Sequence, residues 1–228
     1  MVEDVLCPPT GPAMGARTEC HPTAHIQTEV CMSNIFVLCT GRCGSVTFSR
    51  AARHIRNYTS GHESRAQLVG PARMAYPPNH IEADNRLSWL LGRLDEDYGP
   101  NARYVHLTRD SEAVARSFSR RWGEGIIAAY QQGILEGSRA DRMAICRDYV
   151  ETVTSNIRAF LDGKPEVMRF ELETAPKDWR RFWDWIGAEG DFDASLAEWH
   201  VPHNSSMEQE TWMPNKVRRL VRRVRSGL

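Results

Sequence analysis

The run Cys39-Thr40-Gly41-Arg42-Cys43-Gly44-Ser45-Val46-Thr47 carries the densest chemistry in the chain. Gly41 and Gly44 let a backbone curl without Cβ clashes. Ser45 and Thr47 supply hydroxyl donors, and Arg42 a permanent charge that can grip an oxyanion through two bonds. A loop of this kind between a buried strand and a helix directs backbone N–H groups and the helix dipole at one phosphate. It lacks the Gly-Lys-Ser/Thr ending of a Walker A loop, which argues against ordinary ATPase or kinase chemistry. Arg109 directly follows a second apolar run, and Ser117 stands eight residues further on. If the helix carrying Ser117 crosses beside the first loop, both residues meet a second anion. Two separated anion sites suit a transferase whose nucleotide donor has separated phosphate groups.

An acceptor needs a base. Glu63 and His62 follow Gly61 and are the leading candidates, with Glu63 placed first. Neutral histidine suits that task near pH 7, and a glutamate suits it where its pKa is raised. Glu82, Asp84 and Arg86 form another polar cluster with two readings: orienting the acceptor (or, for Arg86, touching the donor), or capping and bridging a helix that starts near Asn85. His80 is a weaker base candidate, and His106 reads as structural. His203-Asn204-Ser205 is a candidate substrate-loop closure. Six cysteines, at 7, 20, 31, 39, 43 and 146, show no compact metal-binding spacing, and Cys39 and Cys43 read as small buried residues.

The elements that must position these residues are legible in part. Asn34–Cys39 reads as a strand buried on both faces, followed by a helix with Phe48, Ala51, Ala52 and Ile55 on one side. Residues 57–84 read as a short strand with loops. A helix is expected from about Asn85, with Leu87, Leu90, Leu91 and Leu94 inward. Tyr104–Thr108 reads as a second strand. Asp110 or Ser111 caps the next helix, which carries Val114, Phe118 and Trp122. A longer helix is expected over 139–160, a third strand over 167–170, and a helix with Pro176 in its first turn and Trp179, Phe182, Trp183 and Ile186 inward. Residues 189–214 read as irregular, and 215–226 as a basic amphipathic helix. Residues 1–33 read as an irregular leader or a flap over an acceptor site. One domain is expected over 34–228.

The chain has 228 residues, 41% of them hydrophobic, enough for one substantial core. A formal net charge of zero gives no global support for nucleic-acid binding. No apolar run reaches eighteen residues, and the start Met1-Val2-Glu3-Asp4 lacks a secretory pattern, so a cytoplasmic protein without a transmembrane segment is expected.

Thr40-Gly41-Arg42-Cys43-Gly44-Ser45-Val46-Thr47-Phe48 resembles the 5′-phosphosulfate loop of the sulfotransferases that use 3′-phosphoadenosine 5′-phosphosulfate (PAPS). Tyr104 through Asp110, with Ser117, resembles that family's 3′-phosphate motif. Asp84-Asn85-Arg86-Leu87-Ser88 and the region from Glu171 to Trp179 look like segments of its compact bacterial members. The resemblance spans roughly 34–187. It implies an α/β, P-loop-like three-layer fold with a central, mostly parallel sheet flanked by helices. It implies sulfuryl transfer from PAPS to a hydroxyl or amine of a small molecule or glycoconjugate, with adenosine 3′,5′-bisphosphate as product and no metal required. Gly41, Arg42, Cys43, Gly44, Ser45, Val46 and Thr47 would then hold the 5′-phosphosulfate, and Arg109 and Ser117 the 3′-phosphate. Arg42 would stabilise charge on the leaving oxygen. Two departures stand out: Cys43 replaces a serine, removing a hydroxyl donor, and Val46 stands where threonine is common. A divergent P-loop phosphotransferase, a non-catalytic nucleotide-binding scaffold and a basic-helix interaction module are the alternatives.

Overall fold

The computed structural model describes residues 33–201. The leader read over 1–33 (all but its last residue), the His203-Asn204-Ser205 closure and the basic helix over 215–226 lie outside the described residues.

Five strands form one sheet: β1 (Ile35–Leu38), β2 (Thr59–His62), β3 (His80–Ala83), β4 (Arg103–Thr108) and β5 (Val167–Glu171). Their order is β2-β3-β1-β4-β5. Every neighbouring pair is parallel; Val37 sits beside Ala83 on one side and Val105 on the other. A central parallel strand has both faces covered, so its residues run apolar without alternation. Alternate β1 side chains feed two cores. Ile35 and Val37 pack with α1 (Ser45–Ala52), α6 (Ala175–Ile186) and α7 (Phe192–Ala197). Phe36 and Leu38 pack against α2 (Leu91–Asp97), α3 (Ser111–Arg120), α4 (Gly125–Ala129) and α5 (Arg142–Leu161). The result is the expected three-layer α/β architecture.

Local signals set most helix starts. Asp110 caps α3 by accepting from the Ala113 N–H at 2.8 Å, and Asp141 caps α5 through Met143 and Ala144. Pro176 lies in the first turn of α6, and Gly187 ends it with φ 61°.

The structure departs from the sequence reading in several places. Trp122 lies past the end of α3, and α4 with a π turn over Tyr130–Ile134 occupies a stretch where the sequence reading has no element. Residues 57–84 hold two strands rather than one. The helix expected near Asn85 begins as a 3-10 turn over Asn85–Trp89, capped by Asp84, before α2. The stretch after 189 is ordered as α7 and a 3-10 turn over Glu198–His200. The indole Nε1 of Trp179 donates to Ser195 Oγ at 2.9 Å, and that hydroxyl donates to Ala51 O at 2.7 Å. Those two bonds tie α7 to both α6 and α1, contacts that local periodicity does not encode.

Candidate active site

The loop after β1 turns through left-handed backbone at Gly41 (φ 83°), Arg42 (φ 61°) and Gly44 (φ 93°). Crowding fixes the glycines as well. A Cβ on Gly41 would stand 2.9 Å from Asn85 Nδ2, and one on Gly44 2.7 Å from Leu172 Cδ1. The loop is pegged from outside: Ser88 Oγ donates to Cys39 O at 3.1 Å, and Tyr149 OH to Thr40 O at 2.8 Å. Helix α1 starts at Ser45 and directs its first-turn N–H groups into the same concavity.

That concavity is a cavity of about 670 Å³ at the carboxyl end of the sheet. Gly41, Arg42, Gly44, Ser45, Val46 and Thr47 line it. Cys43 does not. Its side chain is fully buried in the core shared with α1 and α6, so it offers the cavity no donor. Only the backbone of Cys43 is available to the loop. Arg109 and Ser117 line the same cavity. Asp110 starts α3 immediately after β4, and two helical turns bring the buried Ser117 Oγ to 3.0 Å from Arg42 Nε, which donates to it. Arg109 Nη1 donates to Arg42 O at 3.1 Å. The loop and the second motif therefore meet.

Arg120 and Arg121 join Arg42 and Arg109 on this side of the cavity, and Arg86 brings the arginines lining it to five. Burial, first, and then the like charges of Arg121 and Arg109 lower the Arg42 pKa to about 10. It stays protonated at neutral pH. Convergent cations in a partly desolvated cleft attract an anion with several charged oxygens.

Beside the loop, His62 Nε2 is 3.1 Å from Ser45 Oγ. Glu63 adopts φ 50° and forms an ion pair with Arg86. Both residues and Arg86 face the cavity. A shallower depression, lined by Ser64, Ala66, Gln67 and Leu68, shares Glu63 and Arg86 with it. Glu82 and Asp84 do not line either one; both are fully buried. Their reading as acceptor contacts is thus corrected, while Arg86 keeps its place. Asp84 accepts from Arg73 at 2.6 Å and from the Arg86 N–H at 2.7 Å; burial outweighs these bonds and raises its pKa. Glu82 accepts from Ser64 and His80; burial pushes its pKa up, but those bonds outweigh it and hold it below the ordinary value. His80 lies buried beneath the site.

The sequence reading missed Asn85 as a wall of the cavity, along with Arg120, Arg121, Leu172 and Trp199. The Arg120-Arg121 doublet, shortly after Ser117, was an available signal. Nothing in the sequence marked Trp199, which reaches the site only because α7 folds back over α1.

No family profile matches the sequence, and no curated protein matches it. Among solved structures it is similar to a sulfotransferase domain from the curacin biosynthetic pathway, at 13% identity and a TM-score of 0.53, over 74% of this chain and 78% of that one. The chain thus has an α/β fold of the sulfotransferase type. Among the described residues no helix is long and apolar enough to cross a membrane.

Proposed function

We propose that this chain is a sulfotransferase that moves a sulfuryl group from PAPS to a hydroxyl or amine of a small molecule or glycoconjugate. The observation that carries this reading is the bond from Arg42 Nε to Ser117 Oγ, with Arg109 beside it. Both segments line one cavity, which supports reading them together as sites for two anions. A donor with a 5′-phosphosulfate and a 3′-phosphate has anions to match both.

The residues fit such a donor chemically. Loop N–H groups, Ser45 and Thr47 are donors for the 5′ end, and Arg109 and Ser117 for the 3′ end. PAPS supplies an activated sulfuryl group. The acceptor atom forms a bond to sulfur as the bond from sulfur to the 5′-phosphate oxygen breaks, and the electron pair leaves on that oxygen. Arg42 stabilises the charge that develops there. The acceptor proton passes to His62 or Glu63, both of which line the cavity. Glu63 and Arg86 also face the neighbouring depression, which gives an acceptor a route to the base.

An acceptor screen with labelled PAPS tests the reading. Transfer is expected with the wild type. Arg42→Met should slow it by about 10²–10³-fold, the usual cost of one donor to developing negative charge. An unchanged rate would remove Arg42 from the mechanism. Stabilisation by magnesium-ATP with no response to PAPS would point to the phosphotransferase alternative.

A further inference from the structure

The turn that follows β2 brings His62 and Glu63 to the cavity, and it is held from below. Ser64 donates twice to Glu82: its N–H to Oε1 at 2.7 Å and its hydroxyl to Oε2 at 2.6 Å. His80 Nε2 donates to the same Oε2 at 2.9 Å, and His80 Nδ1 reaches Thr59 Oγ1 at 2.7 Å. Glu82 is fully buried, and a buried carboxylate with these bonds has little freedom to move. Gly61 leaves the room it needs, since a Cβ there would collide with Glu82 Oε2. Above this anchor the chain takes the left-handed backbone of Glu63, a conformation uncommon for a residue with a side chain.

We infer that Glu82 is a positioning residue: the two hydrogen bonds it accepts from Ser64 fix the turn that presents His62 to Ser45 and Glu63 to Arg86. The inference rests on the sulfotransferase reading. Glu82 touches neither donor nor acceptor. Its role is to hold the two candidate bases at one distance from the phosphate loop, and small displacements of a catalytic group can cost about 10²-fold in rate.

Variants at both ends of the contact test it in the full-length protein. Ser64→Ala keeps the N–H bond and removes the hydroxyl bond at an exposed residue, so folding is not at stake. Glu82→Gln keeps the shape and breaks the acceptor set. Each should lower kcat for transfer, by about tenfold or more for Glu82→Gln. The donor KM and the thermal shift given by adenosine 3′,5′-bisphosphate should match the wild type. The two losses should be non-additive in the double variant, because both act through one contact. An unchanged kcat in Ser64→Ala and Glu82→Gln, or equal losses in kcat and bisphosphate binding, would overturn the role. Amide exchange at Ser64 reads the anchor without turnover. Slow exchange is expected, becoming fast in Glu82→Leu, whose side chain has no acceptor, and fast exchange in the wild type would overturn the anchor itself. A wild type that transfers nothing and binds no bisphosphate would overturn the sulfotransferase reading, whatever the Ser64 exchange.

Discussion

Arg42 is pulled in opposite directions by stability and by chemistry. It is partly buried beside Arg109 and Arg121, and its pKa falls to about 10 in consequence. A cation with a lowered folded pKa costs stability wherever it is charged in both states. Above about pH 10 the unfolded chain holds the proton more tightly than the folded one, so stability rises with pH there. At neutral pH the cost is fully in place. Arg42→Met should therefore raise the thermal midpoint while it slows transfer, with about 2–4 °C for each kcal/mol relieved. A lower midpoint would mean that the arginine is compensated within the protein and is not strained by its neighbours. His106 makes a separate case. Burial, first, and the charges of Arg158 and Arg169 lower its pKa to about 4. The unfolded histidine gains its proton near pH 6.5, so folding loses stability as pH falls from there through 4. At the full limit this is about 3 kcal/mol. Urea midpoints at pH 7.5 and 4.5 should fall further apart in the wild type than in His106→Leu, and equal gaps would refute the shift.

At the scale of elements, the strand, loop and helix over 35–52 were readable because each carries its own local signal. β1 is apolar throughout, and the glycines sit where the chain turns left-handed. α1 repeats its apolar residues at helical spacing. β3 was not readable as a strand. It is entirely buried, yet it contains His80 and Glu82, which satisfy each other and Ser64 from a neighbouring turn. For the same reason Glu82 and Asp84 looked like site residues: two acids beside an arginine read alike whether they face a cavity or a buried partner. The loop also has requirements that sequence could only suggest. Gly44→Ala must place a side chain at φ 93° and within 2.7 Å of Leu172 Cδ1. A loss of about 1–3 kcal/mol in stability is expected, along with weaker bisphosphate binding. Wild-type binding in Gly44→Ala would show that the loop conformation does not matter to the ligand.

For the molecule as a whole, the zero net charge hides a polarised interior arrangement. Five arginines gather at the carboxyl end of a parallel sheet, where the glycine loop after β1, α3 and the chain after α7 converge. The strand, glycine loop and helix at the start of the fold pointed to α/β architecture, and the three layers were what the family resemblance implied. The pairing of the loop with Arg109 and Ser117 also lay in the sequence, as two motifs whose meeting depended on how α3 crosses. The far wall at Leu172 and Trp199 did not, since it depends on packing between residues distant in the chain. The central claim is that this cavity holds two separated phosphate groups of one nucleotide. Calorimetric titration with adenosine 3′,5′-bisphosphate and with adenosine 5′-monophosphate tests it most directly. The bisphosphate should bind more tightly by at least tenfold, and Arg109→Ala should remove most of that preference, since a charged hydrogen bond is worth about 1.5–3 kcal/mol. Equal affinity for the two nucleotides, or a preference that survives Arg109→Ala, would contradict it.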